Sequence, residues 1–207
     1  MEDNQNNNII EEKKGLNKFL SITWDFVKII LIALIIVIPI RYFIFQPFIV
    51  SGESMSPNFE SGDYLIVDEL SYKLSTPQRG DVVVFDASFI PNYSGERFIK
   101  RIIGLPGETV DIANGQVEII KNGKTTVLPE KYLPADLKTY VYSTSGIALA
   151  PEVTTLKAGQ YFVLGDNRTG SYDSRYWGTV QSKYIIGKAL LRIFPITDIS
   201  IIPHPAY

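Results

Sequence analysis

The segment Ser51-Gly-Glu-Ser-Met-Ser-Pro57 presents a candidate hydroxyl nucleophile, Ser54, in a chain with few means of activating one. There is no cysteine, and the one histidine, His204, lies near the C-terminus. A serine in a Gly-x-Ser segment is most often a turn residue, and short motifs carry a high false-positive rate without context. The neighbours nonetheless suit a site. Gly52 allows close backbone approach or positive φ, and Pro57 fixes the local chain. Met55 and Phe59 add apolar surface.

If Ser54 attacks, a group other than imidazole must take its proton, and Phe98-Ile-Lys-Arg-Ile-Ile-Gly-Leu-Pro-Gly107 offers one. Strand residues alternate faces, so Lys100 goes with Phe98 and Ile102, and Arg101 with Ile99 and Ile103. Whichever face is buried, one basic residue lies among apolar neighbours. Either Lys100 points out and Arg101 is paired, or the reverse, or Lys100 is desolvated. Burial disfavours the ammonium form and lowers a lysine pKa. A lysine that is neutral near working pH can act as a general base. A third segment, Gly165 to Gly178, packs two serines, two aspartates and two arginines between glycine turns. On one reading it is only a polar loop. On the other, Asp173 and Arg175 face the same way in an extended chain as a rigid ion pair, while Ser171 offers a hydroxyl to a neutral amine.

Composition bounds what carries these segments. The 207 residues are 45% hydrophobic and 20% charged, enough for a membrane segment plus one globular domain with a real core. A net charge of −2 argues against a nucleic-acid partner. Zero cysteines remove thiol catalysis, disulfides and Cys-rich zinc sites, and a single histidine argues against a His-based one. Freedom from cysteine is compatible with an oxidising exterior. No cofactor or metal is expected.

The first eight residues are acidic and Asn-rich and are expected to be disordered. An uninterrupted apolar run, Ile29 to Ile40, is short for a span, which needs about 20 residues. Extended over 21–45 it is long enough. Lys28 and Arg41 are then placed to snorkel, and Trp24, Tyr42 and Phe43 to sit at the interfaces. Pro39 can kink such a helix without forbidding it. A cleaved leader is the alternative, but Tyr-Phe-Ile-Phe-Gln-Pro-Phe follows the run and holds no small-x-small site. Lys13, Lys14 and Lys18 put residues 1–20 in the cytoplasm and the C-terminal part outside.

From Gln46 the signals are β. Tyr64–Val67, Asp81–Phe85, Phe98–Ile103, Tyr161–Leu164 and Lys188–Phe194 read as strands. Asn114-Gly115 and Asn122-Gly123 predict a three-stranded meander over about 109–128. Residues 129–158 are rich in Pro, Ser and Thr and suggest an inserted loop region. The expected organisation is a mainly β, antiparallel coiled-sheet domain over 46–207 behind one N-terminal transmembrane helix. Residues 109–158 are set apart as an insertion less concerned with chemistry.

In order, these segments resemble the boxes of the bacterial type I signal peptidase (leader peptidase) family. Ser54-Met-Ser-Pro57 resembles its nucleophile box, Arg79-Gly-Asp-Val-Val-Val-Phe85 its next strand, Lys100 to Gly107 its lysine box, and Gly165 to Gly178 its terminal box. The resemblance covers the anchor and essentially the whole domain. It implies that Ser54 is the nucleophile and Lys100 the general base, that Ser171 orients the lysine, and that Asp173 and Arg175 form a structural ion pair. It makes the Ser54 amide half of an oxyanion hole. Some members carry a serine at the position of Gly52 for the other half; this chain follows the glycine variant. Phe98 stands where some members have tyrosine, and Asn58 where threonine is usual. Val50, Met55, Phe98 and Ile99 match positions lining the pocket for the residue before the cut. The implied activity is membrane-bound removal of signal peptides from secretory preproteins after small residues. The implied partners are those preproteins, the lipid bilayer and the protein-export machinery. Two rivals are a self-cleaving Ser–Lys repressor-type protease and an exoplasmic binding module that kept the fold and lost activity. The first lacks a helix-turn-helix pattern; the second requires a broken dyad, and both members are present.

Overall fold

The computed structural model describes residues 22–37, 45–141 and 152–205. The chain divides into two compact units, Met1–Ile44 and Phe45–Tyr207. In the first, helix α1 covers 22–37, and every residue on it is exposed. Its consecutive apolar residues, from Ile29 to Ile32 and Leu34 to Val37, ring the helix rather than striping it. At 1.5 Å per residue α1 is about 24 Å long. Among the described residues no helix is long and apolar enough to cross a membrane. The expected anchor, 21–45, also takes in residues 38–44, which lie outside the described residues, as does the expected tail 1–20.

The second unit is built from antiparallel strands, as the sequence predicts. β1 (Phe45–Ile49), β2 (Tyr64–Asp68), helix α2 (Ser71–Leu74), β3 (Val82–Asp86) and β4 (Arg97–Gly104) come first. β5 (Thr109–Ala113), β6 (Gln116–Lys121), β7 (Lys124–Val127) and β8 (Val153–Thr155) follow. β9 (Gln160–Leu164), helix α3 (Ser174–Trp177), β10 (Val180–Gln181), β11 (Ile185–Phe194) and β12 (Ser200–Ile201) complete it. One sheet has the order β1-β2-β11-β3-β4-β9-β10, with β12 also on β11; the other has the order β7-β6-β5-β8. The expected meander is β5 to β7. Asn114 and Gly115 both have positive φ, as do Asn122 and Gly123, which is what two-residue hairpin turns require. β1 carries Pro47 and lies at the sheet edge, where a missing N–H is tolerated.

Three apolar clusters cover the large sheet from both sides. Ile103, Phe162 and Leu164 pack with Val110, Val117 and Ile119 of the small sheet. Val83, Phe85, Ile102 and Val163 form a second cluster, against which Phe98 and Trp177 pack. Val50, Met55, Phe59, Leu65 and Val82 form a third, bordered by Ile99. β4 is held between β3 and β9, with Lys100 opposite Val83 and Arg101 opposite both Val82 and Leu164. Both faces of β4 are covered, so Lys100 and Arg101 are both buried, at 4% and 3% exposure. Strand alternation alone predicted at least one.

Candidate active site

Ser54 sits in the turn that joins β1 to β2. The Ser56 N–H donates to the Glu53 carbonyl at 3.1 Å, and the Phe59 N–H to the Met55 carbonyl at 3.0 Å. Met55 and Phe59 drop into the third cluster and pin the turn, while Gly52 takes φ +85°, a conformation that other residues rarely adopt. Ser54 is left half-buried at the edge of a cleft of about 370 Å³.

The Lys100 ammonium nitrogen reaches the same point from β4. Its Nζ lies 2.7 Å from Ser54 Oγ and donates to the Ile99 carbonyl at 2.9 Å. Burial pushes its pKa down from 10.5 to about 8, against an opposing pull from the Asp173 and Asp166 carboxylates. A substantial fraction is therefore neutral at mildly alkaline pH, with a lone pair available to Ser54. Arg101 takes the other course. Its Nε and NH2 donate to Asp166 Oδ1 and Oδ2 at 2.8 and 2.6 Å, and its NH1 to the Gly80 carbonyl at 2.9 Å. Hence the paired cation and the desolvated lysine sit side by side in one strand. His204 is engaged elsewhere, with Nδ1 3.1 Å from Asp81 Oδ1.

The loop after β9 packs against the serine turn. Asn167 donates its N–H to the Ser54 carbonyl at 3.1 Å and its Nδ2 to the Glu53 carbonyl at 3.0 Å. Gly165 comes so close that a Cβ there would lie 2.3 Å from the Ser54 carbonyl oxygen and 2.2 Å from Ser171 Oγ. Ser171 is buried, and among the described residues its Oγ has no hydrogen-bond partner, so the expected bond to Lys100 is not made. Asp173 and Arg175 form a two-pronged pair, Nε to Oδ1 and NH2 to Oδ2, both at 2.8 Å. They meet for a different reason from the extended alternation expected. Asp173 is the N-cap of α3, accepting from the Arg175 N–H, and Arg175 lies in the first turn. Asp173 Oδ2 also accepts from the Gly165 N–H at 3.0 Å, tying the loop's two ends together.

Val50, Phe98 and Ile99 line the cleft beside Ser54, Gly52 and Lys100. Met55 does not line it; the side chain is fully buried beneath, in the cluster with Val50. Several supporting contacts join segments that the sequence alone did not connect. Asn58 Nδ2 donates to Asp166 Oδ2 and to the Tyr132 carbonyl, both at 2.9 Å. Arg168 is fully buried and reaches Glu130, Thr139 and Tyr132. Residues 130–140, which the sequence set apart, thus brace the loop that braces Ser54. The signal for this was the charge content of Gly165 to Gly178, which implied partners without saying where they lay. Among the described residues no group of three or more His, Asp or Glu is arranged to hold a metal.

A half-buried serine hydroxyl, a buried amine of lowered pKa and a cleft with apolar walls can together perform acyl transfer. Comparison with known proteins points the same way. Residues 23–194 match the family model described as "Signal peptidase, peptidase S26". "Probable signal peptidase I-2" of Synechocystis sp. is 38% identical over 89% of this chain and 79% of its own. "Signal peptidase I" of Leptolyngbya laminosa is 38% identical over 87% and 85%. "Signal peptidase I" of Bacillus caldolyticus is 38% identical over 79% and 87%. With a family match over most of its length and relatives this similar, the chain belongs to the signal peptidase family, peptidase S26.

Proposed function

We propose that this serine peptidase removes signal peptides from secretory preproteins through a Ser54–Lys100 dyad, from the outer face of the plasma membrane. The observation that carries the dyad is the 2.7 Å approach of Lys100 Nζ to Ser54 Oγ in a buried setting. Neutral Lys100 takes the Ser54 proton as Oγ attacks the scissile carbonyl. The Ser54 N–H donates to the developing oxyanion. Lys100, now charged, protonates the leaving amine, and a water, deprotonated in turn by Lys100, then hydrolyses the acyl-enzyme. Asp173–Arg175 and Arg101–Asp166 hold β4 and the loop after β9 in register with the serine turn. Ser171, buried beside Gly165 with its hydroxyl unengaged, is suited to accept from the protonated amine. Val50, Phe98 and Ile99 give the cleft an apolar wall that favours small residues, of the Ala-x-Ala type, before the cut.

The anchor reading rests on α1, whose apolar residues ring its whole circumference. In water such a surface has no partner, and in hydrocarbon it needs none. Residues 21–45 cross the plasma membrane once, residues 1–20 are cytoplasmic, and 46–207 act outside. The deciding experiment is cleavage of a preprotein by the purified full-length protein, with the product N-terminus identified by mass. Ser54→Ala and Lys100→Met should each abolish product while remaining folded. Normal turnover by folded Lys100→Met protein would sink the dyad.

A further inference from the structure

The Ser54 N–H makes no hydrogen bond to another group among the described residues, whereas the carbonyls on either side of Ser54 Cα are tied down, both by Asn167. The orientation of that side chain is fixed by its own contacts. Its Oδ1 accepts from the Gly170 N–H at 2.9 Å and from the Thr169 hydroxyl at 3.1 Å, which leaves Nδ2 for the Glu53 carbonyl. A Cβ on Gly170 would lie 2.7 Å from Nδ2, so only glycine leaves room for this arrangement.

The Glu53 carbonyl and the Ser54 N–H belong to one peptide unit. Among the described residues the cis bonds are Ser56–Pro57 and Phe194–Pro195, so this unit is trans. In a planar trans peptide the C=O and N–H point in opposite directions. Whatever holds the carbonyl therefore aims the N–H. The carbonyl has two donors, the Ser56 N–H within the turn and Asn167 Nδ2 from the loop after β9. Ser54 lines the cleft and Asn167 does not.

We infer that Asn167 is a positioning residue that sets the direction of the Ser54 N–H toward the transition-state oxyanion. This rests on the assignment of Ser54 as nucleophile. Without Nδ2 the peptide is held by the turn alone and can rock about its Cα–Cα axis. The loss then falls on the transition state, because the ground-state carbonyl needs that donor less.

Two variants separate this from a scaffolding role. Asn167→Asp keeps the size and the acceptor for Gly170 and Thr169 but removes the donor; Asn167→Ala removes both. Outright loss of an oxyanion donor costs about 10²–10³ in kcat, so mis-aiming one should cost roughly 10- to 100-fold in both variants, with KM within about threefold. In Asn167→Ala the pH midpoint of kcat/KM should stay that of Lys100 in the wild type, whereas the new carboxylate of Asn167→Asp should move it upward. Binding of a substrate-like peptide aldehyde, whose adduct with Ser54 carries the oxyanion, should weaken by the same factor as kcat. Wild-type kcat in Asn167→Asp beside an impaired Asn167→Ala would make the acceptor the important half and overturn the inference, as would a rise in KM alone. Full activity in Ser54→Ala would instead overturn the nucleophile assignment.

Discussion

The ionisation of Lys100 governs two observables in opposite directions. Its ammonium is disfavoured by burial, which brings the pKa from 10.5 to about 8. For the proposed dyad the neutral amine is the competent form. kcat/KM should therefore climb about tenfold per pH unit on the acid side and level off above a midpoint near pH 8. A flat profile from pH 5 to 9 would argue against a lysine base. For stability the sign runs the other way. Below about pH 8 both folded and unfolded chains carry the proton, and the folded chain bears the full cost of a buried cation. Between about 8 and 10.5 the unfolded chain binds more protons than the folded one, so stability rises with pH through that window. The depression corresponds to roughly 3 kcal/mol. Lys100→Met should accordingly be inactive yet more stable at pH 7, by up to about that amount, with the advantage shrinking toward pH 10. Urea titrations at pH 7 and pH 10 check this; equal stability of the two proteins at pH 7 would mean the buried amine costs nothing.

Between residue and fold stand the segments that brace the serine turn, chief among them the loop after β9 and residues 130–140. Arg168 is fully buried between them. Burial alone would depress its pKa, but the hydrogen bonds and charge of Glu130 outweigh that and raise it. Glu130 is the counter-charge, with Arg168 NH1 2.6 Å from its Oε2. Removing one partner of a buried pair leaves an uncompensated charge and costs about 3–5 kcal/mol. Glu130→Ala should therefore destabilise the domain by roughly that much and lower activity, although Glu130 does not line the cleft. Glu130→Gln, which keeps hydrogen-bond acceptance, should be milder, and thermal melts of the two variants test the order. None of this was legible in the sequence. The strands were, because β-branched runs, Asn-Gly turns and alternation act locally. Ser54, Lys100, Asp173 and Arg175 could be singled out as candidates, but their roles came from the family resemblance and not from each segment alone. What brings Glu130 to Arg168, or Asn167 to Ser54, is pairing between segments far apart in the chain, and residues 129–140 carry no periodic pattern to show which face they present. β8 and β12 escaped for a related reason: strands of two or three residues owe their existence to the partner strand and not to their own composition.

For the whole molecule the question is what the first unit contributes to a reaction carried out in the second. α1 has apolar residues on all sides, and its one cation is paired within the helix, Lys28 Nζ to Asp25 Oδ1 at 3.2 Å. In the proposed function this helix belongs to a bilayer anchor. In that role it would confine the peptidase to the surface where a membrane-held signal peptide presents its cut site. Linking two partners to one surface turns a bimolecular encounter into a local one, an effect that can reach 10²–10⁴ without any new contact. The anchor's contribution should therefore depend on the substrate. Deleting residues 1–44 should leave kcat/KM on a short soluble peptide within a few-fold of the full-length value. Cleavage of a preprotein inserted in vesicles should fall by roughly 10²-fold or more. Soluble and vesicle-bound substrates assayed side by side, at matched enzyme concentration, provide the check. An equal loss on both would mean that the first unit supports the catalytic fold itself, and no loss on either would mean that the domain finds its membrane-held substrates unaided.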